Sequence, residues 1–233
     1  MSELIVALDV PTIKAVENVV KKLDSSVDFY KIGLELFSAE GPAVVALVKM
    51  YGKRVFLDLK LHDIPRTVER AVQAAAKLDV DMLTIHASGG RNMIAAARNG
   101  AQTAGAKAPA ILAVTTLTSL DASDLKDLGI NRSLSEQVSM LGVMAVDSGA
   151  DGVVCSPLEV ARLRKVLKSG SLLVTPGVRP QGVSSGDQKR VATPAAAVAA
   201  GSTHLVVGRP ILEADEPKTA AINILEEMRQ AVT

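Results

Sequence analysis

Short apolar runs recur along the chain, most of them bounded by a charge, Gly or Pro and followed by a longer stretch of mixed polarity. Leu4–Leu8, Phe29–Gly33, Val55–Leu59, Met82–His86, Ala110–Thr115, Gly152–Cys155, Leu172–Thr175 and His204–Val207 predict eight strands. The stretches between them read mostly as helices. One runs from Pro11-Thr12 to Leu23, and one is broken by Gly41-Pro42 before resuming to Met50. Others are expected over Arg66–Leu78, from Gly89-Gly90 to about Gly105, over Ser135–Ser148, after Pro157, after Pro194 and over Pro217–Ala231. Leu117–Arg132 and Pro176–Arg190 show little periodicity and read as long connections. Short apolar strands alternating with helices imply a parallel sheet covered on both faces. The expected fold class is α/β, a single (β/α)8 TIM barrel over residues 1–233, with an open doubly wound sheet as the other architecture of this pattern. No G-x-G-x-x-G follows the first strand, which speaks against a dinucleotide site.

Composition narrows the function classes. The chain has 233 residues, 48% of them hydrophobic, and a formal net charge of +1 with no basic run, so nucleic acid is not an expected partner. Aromatic residues are 2% with no Trp, too few for a base-stacking surface. The single cysteine, Cys155, excludes an internal disulfide and a cysteine zinc cluster. Leu4–Leu8 is too short and lacks the basic leader of a signal peptide, and no apolar run spans a bilayer. A cytoplasmic protein with no membrane partner is the expectation.

The segment Arg54–Leu61 carries the most telling chemistry. On a strand, side chains alternate between faces, so Asp58 and Lys60 share one face while Leu57, Leu59 and Leu61 share the other. Opposite charges on the inner face of an apolar strand are costly to bury without a purpose. Asp63 follows just past the strand end, where a loop can turn it back toward the same place, and Pro65 suits the first turn of the next helix. Taken alone, Asp-x-Lys is equally what a structural ion pair looks like. The other strand ends tilt the balance. They carry Asp9, Lys31, His86, Thr118, Arg179 in Pro176-Gly177-Val178-Arg179, and Gly208-Arg209. A barrel brings all of these to its carboxyl-terminal face, with the loops after strands seven and eight suited to a phosphate. His62, His86 and His204 are well separated and show no metal-ligand spacing, and packing is the commoner role for a histidine in a strand.

The segment Asp58-Leu59-Lys60-Leu61-His62-Asp63-Ile64 resembles the D-x-K-x-x-D-I signature of the orotidine 5′-phosphate decarboxylase family. The likeness extends along the chain. It takes in Ala7-Leu8-Asp9, Lys31-Ile32-Gly33, Leu117-Thr118-Ser119, Pro176-Gly177-Val178-Arg179, Asp187-Gln188-Lys189-Arg190 and Val207-Gly208-Arg209-Pro210. The first signature is shared with related sugar-phosphate enzymes, whereas its combination with Arg179, Gln188 and Arg209 in this order is more specific. The resemblance implies cofactor-independent and metal-independent decarboxylation of orotidine 5′-monophosphate to UMP, in a homodimer with shared sites. It implies that Asp9 and Lys31 hold ribose hydroxyls, and that Asp58, Lys60 and Asp63, with Lys31, work at the reacting carbon, Lys60 being the proton donor. Asp63 and Thr67 would reach the neighbouring subunit's site. Thr118, with Ser119, would contact the pyrimidine. Gln188, Arg179, Gly208 and Arg209 would hold the phosphate beneath a lid formed by residues 176–190.

Other readings stand beside it. A hexulose-phosphate synthase or ketogulonate-phosphate decarboxylase would set a divalent metal among the acidic residues. A Schiff-base aldolase would need Lys60 neutral, against the pull of flanking carboxylates. A non-catalytic sensor of a phosphorylated ligand would have no use for the Asp-Lys-Asp set.

Overall fold

In the computed structural model, which describes residues 2–180 and 191–231, the eight expected strands close on one another in chain order. They are β1 (Glu3–Ala7), β2 (Phe29–Gly33), β3 (Arg54–Leu61), β4 (Met82–His86), β5 (Ala110–Val114), β6 (Gly152–Val154), β7 (Leu172–Thr175) and β8 (His204–Val207). All neighbouring pairs are parallel, and β1 closes the ring on β8 with Glu3 opposite His204 and Val6 opposite Val207. This is the (β/α)8 barrel that the apolar periodicity predicts.

The helices wrap the outside. They are α1 (Ile13–Leu23), α2 (Leu34–Glu40), α3 (Pro42–Met50), α4 (Pro65–Ala76), α5 (Gly90–Gln102), α6 (Ala122–Asp127), α7 (Leu134–Asp147), α8 (Val160–Val166), α9 (Pro194–Ala199), α10 (Arg209–Leu212) and α11 (Pro217–Gln230). Local chemistry sets their ends. Thr12 caps α1 by accepting from the Ala15 N–H, and Pro occupies the first turn of α3, α4, α9 and α11, where its missing N–H costs nothing. Two helices were not expected, the short α10 and α6, the latter inside the stretch read as an irregular connection. Its start is a capping box in which the Asp121 carboxylate accepts from Ser123 and Asp124 while the Asp124 side chain accepts from the Asp121 N–H. None of the described helices is long and apolar enough to cross a membrane.

Strand alternation sorts the apolar side chains into two cores. The outward set, including Val6, Tyr30, Ile32, Leu57, Leu83, Ile85, Ile111, Val153, Leu173 and Leu205, packs under the helices. The inward set, Ile5, Ala7, Phe29, Phe56, Met82, Leu112, Val174 and Val206, fills the barrel interior. Two residues further along several of these strands, on the same inward face, the residues are polar. The barrel is therefore a packed plug with a charged mouth.

Candidate active site

The mouth holds a cavity of about 300 Å³, within the size range of small-molecule sites. Its walls include Ala7, Asp9, Lys31, Phe56, Asp58, Lys60, Thr118, Val154, Pro176, Gly177, Arg179, Val206, Gly208 and Arg209. Nearly all the candidates that the sequence places at strand ends thus converge here.

Two ion pairs stand on adjacent strands. Ala7 lies opposite Lys31 in the β1–β2 register, so Asp9, two residues beyond Ala7, meets the Lys31 ammonium at 3.1 Å. Lys31 is well covered, whereas Asp9 lies open to solvent. On β3, Lys60 Nζ donates to Asp58 Oδ2 at 2.7 Å. The Asp58 residue is only 9% exposed, so its carboxylate is a nearly buried anion held by a cation and by a second donor, Thr84, whose hydroxyl lies 2.8 Å from Oδ1. Paired and hydrogen-bonded, a buried charge is tolerable. Sequence reasoning did not single out Thr84. The signal was present, since Thr84 is a polar residue at an inward position of the apolar strand Met82-Leu83-Thr84-Ile85-His86.

The same cavity is lined by two guanidinium groups, carried by Arg179 beyond β7 and Arg209 beyond β8. Arg179 is 8% exposed, and its Nη1 donates to the Val178 carbonyl at 2.9 Å. Partial burial, then the neighbouring Arg209, holds Arg179 below the ordinary arginine range, while Glu213 opposes that shift. Arg179 nonetheless stays a cation at neutral pH. Two like charges facing one cavity are the electrostatic shape of an anion site. The backbone closes around the same place. Gly177 adopts φ +77°, and a Cβ on Gly208 would stand 3.1 Å from Asp9 Oδ2, so glycine lets the β8 end approach β1. The two ends of the 176–190 connection are tied by the Arg179 N–H to the Ala192 carbonyl, 2.9 Å. Gln188 lies outside the described residues.

Asp63 and Thr67 sit differently. Both are exposed, and Asp63 accepts from the Ile64 N–H at 2.6 Å; neither is among the residues lining their own chain's cavity. The simple reading in which the loop folds Asp63 back toward Asp58 and Lys60 of the same chain is not what the structure shows. Ile64, which follows Asp63 in the chain, is a large apolar side chain left exposed as well.

The histidines divide between the two ends of the barrel. His86 ends β4, 5.3 Å from the His62 ring; partial burial, then His62 and Lys60, pushes its imidazole toward the neutral form. His204 starts β8 at the amino-terminal end, where it meets Thr203 at 2.9 Å, packs edge-on against Phe29 and faces Glu3. It is a packing residue remote from the cavity. Among the described residues, no three His, Cys, Asp or Glu side chains are grouped to hold a metal ion.

Comparison with known proteins converges on one group. Residues 2–224 match the family model described as "Orotidine 5'-phosphate decarboxylase / HUMPS family". A curated orotidine 5′-phosphate decarboxylase of Moorella thermoacetica is 48% identical over 231 residues, covering 97% of this chain and 92% of that protein. Its counterpart in Nostoc sp. is 47% identical over 235 residues, covering 99% and 98%. The crystal structure of orotidine 5′-phosphate decarboxylase from Lactobacillus acidophilus superposes with a TM-score of 0.89 at 41% identity, covering 98% of this chain and 99% of that one.

Proposed function

Because this chain belongs to the orotidine 5′-phosphate decarboxylase / HUMPS family, we propose that it converts orotidine 5′-monophosphate to UMP and carbon dioxide, a cytoplasmic, cofactor-independent reaction that completes UMP synthesis. The observation that carries the reading is the convergence on one cavity of two carboxylate–ammonium pairs, Asp9–Lys31 and Asp58–Lys60, with two guanidinium groups, Arg179 and Arg209. A phosphorylated nucleoside is complementary to that set of charges. Arg179, Arg209 and the backbone at Gly208 take the phosphate, with Gln188 of the connection closing over it. Asp9 and Lys31 take the ribose hydroxyls. Thr118 takes the pyrimidine edge, and C6 lies against Lys60.

The chemistry asks for fixed charge. The bond from C6 to the carboxylate breaks heterolytically, and its electron pair stays in the ring plane, where the ring carbonyls cannot accept it by resonance. A pre-placed cation in a site shielded from water stabilises such a centre without reorganisation. The Lys60 ammonium is that cation in this reading. It transfers a proton to C6 as carbon dioxide departs, and the resulting amine regains a proton from solvent. Asp58, 2.7 Å away, pairs with the Lys60 ammonium and aims it. The negative charge merely moves from the substrate carboxylate to C6, so the local charge count is conserved. Phosphate binding, remote from C6, supplies energy for closure of the 176–190 connection.

The working form in this reading is a two-fold homodimer. Asp63 and Thr67, exposed on their own chain beside the exposed Ile64, reach the partner's cavity and complete its charge set. The deciding experiment is the loss of orotidylate absorbance on adding purified, EDTA-treated protein. Turnover under chelation is the expected result. Unchanged orotidylate, or activity restored only by a divalent cation, would overturn the proposal in favour of a metal-dependent sugar-phosphate enzyme of the same family.

A further inference from the structure

Residue Lys60 has a backbone that lysine does not ordinarily adopt. Its φ is +51°, in the left-handed region that side chains disfavour. The cause is visible in the strand pairing. In the β3–β4 ladder, Leu57 faces Leu83 and Leu61 faces Ile85, so β3 advances four residues while β4 advances two. The surplus bulges out at Asp58-Leu59-Lys60 and re-aims the side chains there, as β-bulges do. A bulge also removes main-chain partners. The Lys60 N–H is donated instead to a side chain, Thr84 Oγ1, at 2.9 Å. The same hydroxyl donates to Asp58 Oδ1 at 2.8 Å. One hydroxyl has one donor and two acceptor positions, so it serves both at once. Thr84 is fully buried beneath the pair.

We propose that Thr84 is a positioning residue, whose single hydroxyl locks the strained Lys60 backbone and the Asp58 carboxylate into one rigid unit so that the ammonium stands where the developing C6 charge appears. The inference rests on the charge-network reading given above. Strain of this kind persists only where the surroundings over-determine it. Here the restraint comes from the neighbouring strand rather than from β3 itself. Thr84 is absent from the cavity walls, so its effect on substrate passes through Asp58 and Lys60.

The test compares Thr84→Ser, which keeps the hydroxyl, with Thr84→Ala, which differs from it by that one atom. Valine is a poor probe, because a methyl in place of Oγ1 would sit 2.8–2.9 Å from two polar atoms, well inside the ordinary contact distance of about 3.5 Å. We expect Thr84→Ala to lower kcat on the order of 10- to 100-fold, the size of losing a hydrogen bond to a charged group. KM and the dissociation constant for UMP should stay close to wild type, since phosphate, ribose and pyrimidine contacts lie elsewhere. Thr84→Ser should recover kcat to within about three-fold. A wild-type kcat in Thr84→Ala overturns the proposal. So does a parallel loss of UMP affinity, which marks a collapsed mouth, or an equal kcat loss in Thr84→Ser, which marks a packing role for the methyl. Should Thr84→Ala not fold, Thr84→Cys, with a weak donor of similar size to serine, takes its place with the same expectations. Lys60→Ala serves as the control. If it keeps wild-type kcat, the charge-network reading itself falls. If it is inactive while Thr84→Ala is unimpaired, only the role of Thr84 falls.

Discussion

Replacing Arg179 by alanine separates phosphate recognition from chemistry, and its size can be worked from the structure. Arg179 is 8% exposed and lines the same cavity as Arg209, so a phosphate held there, as proposed, is shielded from solvent. A hydrogen bond to a charged group contributes about 1.5–3 kcal/mol, which at about 1.4 kcal/mol per decade gives a loss of roughly 10- to 150-fold in kcat/KM for orotidylate. The phosphate-free nucleoside has nothing for Arg179 to hold, and its slow reaction should change less than about three-fold. Stability should hardly respond. The variant loses the 2.9 Å bond to the Val178 carbonyl, but it also sheds a buried cation repelled by Arg209. These opposed effects leave a net change within about 1 kcal/mol, or a Tm shift of no more than about 4 °C for a chain of this size. Steady-state kinetics on both substrates and a thermal melt complete the measurement. Equal losses on nucleotide and nucleoside would refute the reasoning, because they would place Arg179 at the pyrimidine or in the framework.

Two further outcomes are expected. When Lys60→Ala and Asp63→Ala chains are mixed in equal amounts and allowed to exchange subunits, half the dimers are mixed and each has one complete site, so about a quarter of all sites should regain activity; no recovery, with heterodimers confirmed by mass, would show that each site is built from one chain. At the other end of the barrel, burial is the first cause holding the His204 imidazole below its ordinary range, with Arg54 adding to it and Glu3 opposing. The unfolded chain therefore takes up the proton first, so Tm should fall as pH drops below 6.5, and His204→Gln should flatten part of that fall; an unchanged slope would refute the assignment.

How much of this was legible in the sequence differs between the frame and the site. The eight strands could be read because each is a short apolar run, most of them closed by a charge, Gly or Pro, and two-residue alternation put Asp58 and Lys60 on one face of β3. Helix α6 could not be read that way. It buries only Leu125, so it has no apolar stripe, and its sole signal is the Asp121–Asp124 capping box within a polar stretch. The pairing of Asp9 with Lys31 was likewise invisible along the chain. It depends on the β1–β2 register, which brings together side chains 22 residues apart.

The hardest feature to foresee is also the one nearest the proposed chemistry. Alternation correctly puts Asp58 and Lys60 on one face, but a regular strand would space two same-face residues along its axis with both backbones in the β region. The observed 2.7 Å contact forms at a bulge, with Lys60 left-handed and its N–H bonded to Thr84. A bulge is a mismatch between two strands, so neither Arg54–Leu61 nor Met82–His86 encodes it alone. Local propensity argues against φ +51° at a lysine, and that conflict between local preference and tertiary demand is where functional strain is expected. The order of causes runs from the β3–β4 mismatch, to an orphaned N–H, to a buried hydroxyl that satisfies it, to a lysine held against its own preference beside an aspartate. Had residue 84 been apolar like its strand neighbours Leu83 and Ile85, the bulge would bury an unsatisfied Lys60 N–H and leave Asp58 Oδ1 short of a donor. β3 would then be expected to relax toward regular pairing, carrying the ammonium away from the cavity.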